Sequence, residues 1–276
     1  MLAKAVDLQE NETRRPEAPA AVTPQTRDVA ISLKQCSLSF GSVQVLNNVS
    51  LDIYKNEFVS ILGPSGCGKS TLLRLMLELL KPDAGGEVAF AANKPSIGIV
   101  FQKPVLMPWL SAIQNVELTL TMGAGKSIPK RERREKAENA LQLVGLQDFR
   151  NHYPHMLSGG MQQRIAIARA LAADPEVLLM DEPFGALDEL TREKLNFELL
   201  RLWEDPATSL SSVVMVTHSI QESVIMSDRV VMMSPRPAGV EAIIPVPLPR
   251  PREVGMEEHP AFYQTVKELR KRVKDQ

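Results

Sequence analysis

The stretch 63-GPSGCGKST-71 stands between the apolar run 57-EFVSIL-62 and the run 72-LLRLMLELL-80. A strand-like segment leads into the glycines and a helix-like one leaves them. The spacing Gly63-x-x-x-x-Gly68-Lys69-Ser70 is that of a phosphate-binding loop. Glycines let the backbone curl until successive N–H groups face phosphate oxygens, and the helix behind adds its positive end. Lys69 is placed to reach β- and γ-phosphates, and the Ser70 hydroxyl is a candidate Mg²⁺ ligand. Pro64, Ser65, Gly66, Cys67 and Thr71 complete the candidate cradle.

A loop holding a nucleoside triphosphate needs a carboxylate for the metal and a group that orients water. The stretch 177-VLLMDEP-183 offers both. Asp181 ends an apolar strand-like run, and Glu182 follows it. Ligands of open α/β sheets gather at the carboxyl ends of strands, so the loop and Asp181 are expected to converge. Asp181 is then the metal ligand and Glu182 the general base. A second glycine-rich helix start occurs at 157-LSGGMQQR-164, where Ser158, Gly159 and Gly160 form another anion-seeking terminus. A single triphosphate does not need two such sites. Two chains placed head to tail would use both.

Outward from these motifs, the 276 residues and 44% apolar composition suffice for a sizeable core. With 32 basic against 33 acidic side chains, nothing in the overall charge points to nucleic acid or an anionic membrane as a bulk partner. Cys36 and Cys67 are too few for a disulfide framework and suit a reducing compartment. No apolar run approaches the ~20 residues needed to cross a bilayer. Residues 1–28, rich in Pro, Ala, Glu and Thr, are expected to form a disordered leader without a signal core.

Strand signals fill 29–40, 49–53, 57–62 and 96–101, with a helix expected over 69–80. Helical signals dominate 104–158, after which helices and strands alternate through "EVLLM", "SVVMVT" and "RVVMM". The expected fold class is α/β. Its core spans 29–103 and 159–250 with a mostly parallel sheet and N-terminal antiparallel strands, interrupted by a helical subdomain at 104–158. The prolines from Pro235 to Pro251 mark an irregular exit, and 251–276 form a tail with a terminal helix.

Together these strings make the sequence resemble an ATP-binding cassette (ABC) transporter ATPase from about residue 29 to 235 or beyond. The resemblance implies that Gln102 contacts Mg²⁺ and assists catalysis, and that His218 contacts the γ-phosphate. It implies that Phe40 stacks on adenine, unless that ring is simply core. It further implies that Ser158, Gly159, Gly160 and Gln162 face the nucleotide of the opposite subunit, and that Asp188 belongs to a loop speaking to it. After the histidine the family usually has aspartate where this chain has Ser219, which still suits a helix cap.

"MPWLSAIQNV", "FGALDELTRE" and "DRVVMMSPRP" are similar to the nitrate, sulfonate and taurine importer branch. For that branch, Leu106, Met107 and Trp109 lie where a permease docks, unless they pack within the helical segment. The resemblance implies ATP and Mg²⁺ as cofactors, an ATPase homodimer or heterodimer, permease subunits, a solute-binding protein and no nucleic acid. It implies a cytoplasmic position on the inner face of the membrane. An ABC exporter and a non-transport ABC ATPase are the alternatives.

Overall fold

A computed structural model of the chain describes residues 27–91, 93–122 and 128–274. The expected leader lies outside the described residues apart from 27 and 28. In chain order the elements are β1 (Val29–Phe40), β2 (Val43–Tyr54), β3 (Phe58–Leu62), α1 (Lys69–Met76), β4 (Glu87–Phe90), β5 (Ile97–Val100), α2 (Ala112–Thr119) and α3 (Lys130–Leu143). There follow α4 (Gly159–Ala172), β6 (Val177–Asp181), α5 (Glu189–Glu204), β7 (Ser212–Val216), α6 (Ile220–Met226), β8 (Arg229–Met233), β9 (Val240–Pro245) and α7 (Pro260–Lys274).

Strands β3, β6 and β7 are buried at every residue, as parallel strands covered on both faces must be. They form the middle of a six-stranded sheet in the order β5-β6-β7-β3-β8-β9, parallel except for β9 at the edge. Alternate side chains serve opposite faces. Phe58, Leu178, Met180, Val213, Met215, Val230 and Met232 join one apolar core with helices α2 to α7. Val59, Ile61, Val177, Leu179, Val214, Val216 and Val231 join another with α1, β1 and β2. A separate antiparallel sheet, β2-β1-β4, closes that second face. Phe58, wholly buried, packs edge-on against Trp203 of α5 with ring centroids 5.9 Å apart. Burying such a ring contributes about 1.5–3 kcal/mol.

The helical segment contributes α2 and α3, which pack against each other and on α4. Ala112, Ile113, Val116, Ala137 and Leu141 share the cluster that contains Phe58 and Met180, so this segment is continuous with the core. Ser111 caps α2 in a capping box with Gln114.

Two expectations are corrected, and one strand arises where none was expected. Helix α1 ends at Met76 because Glu78 turns into the left-handed region at φ 56, leaving Leu79 exposed. Strand β4 occupies 87–90, directly after the turn at 81–86, pairing with β1. The expected irregular exit contains β9, antiparallel to β8. An edge strand tolerates Pro245 at its end because no ladder beyond it needs that N–H.

Candidate active site

The phosphate loop is clamped between two strands. A Cβ on Gly63 would sit 2.9 Å from the Met233 carbonyl oxygen at the end of β8, so only glycine fits. Gly68 has φ +133, and a Cβ there would meet Val45 and Leu46 side chains of β2 at 3.0 Å. The Lys69 ammonium donates to the carbonyls of Gly63 and Pro64 at 2.8 Å each, which tucks this nearly buried cation inside the curl. Helix α1 starts at Lys69 with no acidic residue in its first turn, so its positive end faces the loop uncompensated. Cys67 points into the core beside Gly63, leaving only its backbone for a ligand.

The carboxyl ends of the strands supply the rest. Asp181 closes β6 and accepts the Ser70 hydroxyl. Burial pushes its carboxyl above the ordinary range; the Ser70 bond, Arg74 and Lys69 oppose that push and Glu182 adds to it. Glu182 has φ +46, a left-handed conformation that β-carbon residues adopt at a cost of about 1–2 kcal/mol. The turn aims its side chain at the loop. Its Oε2 accepts the Gln102 amide at 2.9 Å and lies 3.7 Å from His218 Nδ1. Gln102 follows β5 and His218 follows β7, so three neighbouring strand ends meet at one oxygen.

Ser65, Gly66, Gly68, Lys69, Ser70 and Thr71 line one wall of a depression of about 570 Å³; Gln102, Glu182 and His218 line the other. Arg236 also lines it, donating to the Gly66 carbonyl at 2.5 Å. The sequence reading passed over Arg236. Its place just after β8, at a strand's carboxyl end, was the available signal.

The other glycine-rich terminus lies elsewhere. Ser158 caps α4, its hydroxyl accepting Met161 N–H at 3.2 Å, and Gly160 packs under Leu187. Asp188 caps α5 by accepting Thr191 N–H at 3.0 Å, and that bond holds its carboxyl below the usual range. These groups line an open depression of about 390 Å³ that shares no lining residue with the first. Gln162 does not line it, because its amide is committed to the Pro154 and Leu157 carbonyls.

The remaining expected residues are also placed. Phe40 is half exposed at the end of β1, so it is not core, and it does not line the phosphate depression. Trp109 is 70% exposed, whereas Leu106 packs against the main core and Met107 is half-buried. Buried Asn115, unnoticed in the sequence, holds this loop by accepting Met107 N–H and donating to the Met107, Leu110 and Ser111 carbonyls. Ser219 caps α6.

A family model described as ABC transporter matches residues 46–185, spanning both the loop and the Asp181-Glu182 pair. The chain belongs to the ABC transporter ATPase family. This ABC subunit therefore binds and hydrolyses ATP. It is 39% identical to an aliphatic sulfonates import ATP-binding protein of Bacillus cereus over 90% of this chain and 96% of that one. It is 41% identical to a bicarbonate transport ATP-binding protein of Synechocystis sp., covering 81% and 80% of the two. Among solved structures it is similar to a dimeric, post-hydrolysis ATP-binding cassette bound to ADP and Pi, with TM-score 0.68 and 38% identity over 78% of this chain and 98% of that one. The working parts sit at strand ends and helix starts, and no helix among the described residues is long and apolar enough to cross a membrane.

Proposed function

We propose that this ABC ATPase drives an importer of a small anion by closing head to tail with a second cassette around ATP. The observation that carries the catalytic reading is the convergence of Gln102, Glu182 and His218 opposite the Lys69 loop. Glu182 is the general base for the attacking water, and Gln102 and His218 hold its carboxylate from two sides. Lys69 and the start of α1 bind the phosphates. His218, 64% exposed, is free to turn towards a γ-phosphate.

The donor set around Ser70 fits Mg²⁺. It consists of a hydroxyl, the buried Asp181 carboxyl and the Gln102 amide, all able to present hard oxygen atoms. Bound there, the ion would neutralise charge on the phosphates. Ser158, Gly159 and Gly160, set apart from the phosphate depression, serve the nucleotide held by the other cassette. Asp188 shares their depression and belongs to the same face. Exposed Phe40 is available to stack on adenine.

Trp109, presented on a loop that Asn115 and Arg169 pin, is the contact for a membrane permease, with half-buried Leu106 and Met107 in the same loop. The relatives named for sulfonate and bicarbonate transport support an anionic cargo; a solute-binding protein would deliver it. The subunit would then work on the cytoplasmic face. Reconstitution with candidate permease and binding-protein subunits tests this reading. ATP turnover stimulated by a sulfonate or inorganic anion supports it, and stimulation only by an exported substrate contradicts it.

A further inference from the structure

The turn carrying His218 is closed into a ring by its neighbours. The Thr217 hydroxyl donates to Glu222 Oε2 and accepts Ser219 N–H at 3.0 Å, while Ser219 Oγ accepts Glu222 N–H at 3.2 Å. Ser219-x-x-Glu222 has the spacing of a capping box, in which the glutamate would reach back to the cap residue's own N–H. Here the Thr217 hydroxyl takes that N–H, and Glu222 takes the hydroxyl. The box is extended by one residue, and the residue it encloses is His218.

Glu222 is a costly group to place there. It is 8% exposed, and burial raises its carboxyl above the ordinary range against the pull of Thr217, Arg192, Asn196 and His218. A carboxyl used only to cap α6 could remain in solvent, since Ser219 already caps that helix. Its inward position brings it instead to Asn196 of α5, the helix that Asp188 starts, and within the field of the Arg192 guanidinium on that helix. One side chain thus touches both the histidine turn and the helix behind the Asp188 loop.

Resting on the reading of His218 given above, we infer that Glu222 is a positioning residue that holds the His218 turn in register with Glu182. It makes no contact with nucleotide; its effect passes through Thr217 and Ser219. Removing it frees the turn, so turnover falls while nucleotide affinity is kept.

A double-mutant cycle in the full chain tests this, with kcat, KM for ATP and thermal midpoint measured for each variant. His218→Ala alone is expected to lower kcat. Glu222→Ala should lower kcat at least tenfold with KM changed less than twofold, since it acts through a general-base site worth about 10²–10⁴-fold. Glu222→Gln, whose amide oxygen can still accept the Thr217 hydroxyl, should recover kcat to within about threefold of the parent. In the His218→Ala background, Glu222→Ala should remove less than a further factor of about two, because coupled residues are non-additive. Thr217→Val, a smaller change, should reproduce the loss if Glu222→Ala fails to fold.

Equal proportional losses in both backgrounds, or a Thr217→Val variant with parental kcat, overturn the inference while leaving His218 in its role. A His218→Ala variant with parental kcat removes the His218 reading and the inference with it.

Discussion

The two glycine-rich helix starts differ in what surrounds them. At 63–71 the backbone is walled by Met233 on one side and Val45 and Leu46 on the other, a lysine is folded inside, and three strand ends face it across the depression. At 157–160 the backbone is open: a Cβ on Gly159 would meet nothing within 4 Å, and one on Gly160 would touch only Leu187 and the Ala186 carbonyl. The nearby Arg164 guanidinium turns back to the Val144 carbonyl at 3.1 Å. The same device, helix dipole plus free N–H groups, thus occurs once with a lysine folded into it and three strand ends opposite, and once beside only the capping Asp188 and an Arg164 turned back to Val144. The first can bind a triphosphate within one chain. On the function proposed above, the second is a half-site, complete only against a ligand that another chain presents.

Substitutions can separate the two. The largest effect is expected for Glu182→Gln, which keeps the Gln102 contact but cannot accept a proton; turnover should fall about 10²–10⁴-fold in a phosphate-release assay, with ATP binding kept. Lys69→Ala should weaken ATP affinity about 10–100-fold by titration calorimetry, the worth of a charge-assisted bond to phosphate. Ser158→Ala should leave the affinity of a dilute, single chain unchanged within about twofold, yet lower turnover and reduce stability by about 1 kcal/mol through the lost cap. A Ser158→Ala chain that binds ATP as poorly as Lys69→Ala would place both helix starts in one site and end the distinction. The smallest effect on the isolated subunit is expected for Trp109→Ala, a surface change within about 0.5 kcal/mol that leaves ATP affinity alone. Loss of permease-stimulated turnover in that variant would assign the exposed ring to the partner, and normal coupling would remove that assignment.

How much of this could be read without coordinates depends on whether the interaction is local. The strand–loop–helix around Lys69 and the Asp181-Glu182 strand end are contiguous in sequence, so their pattern alone announced them. The meeting of Gln102, Glu182 and His218 joins positions 80 and 36 residues apart. Only the resemblance indicated it, because strand order is a tertiary property. Arg236 and Asn115 escaped because an arginine in a proline run and an asparagine in a helix have no local signature of what they hold. Strands β4 and β9 are short edges, and the Glu78 backbone that ends α1 violates the propensity of its apolar neighbours. Ser219 was legible as a cap; the ring it forms with Thr217 and Glu222 was not, since the capping-box spacing suggests a different bond.

The claim that the second helix start completes a site on another chain is tested most directly by the mass of Glu182→Gln in solution with Mg²⁺ and saturating ATP, measured by sedimentation. The account predicts a dimer that dissolves when Ser158 is also replaced by a bulky residue or when ATP is exchanged for ADP. A species that remains monomeric at every ATP concentration, alone and with its permease, would contradict it.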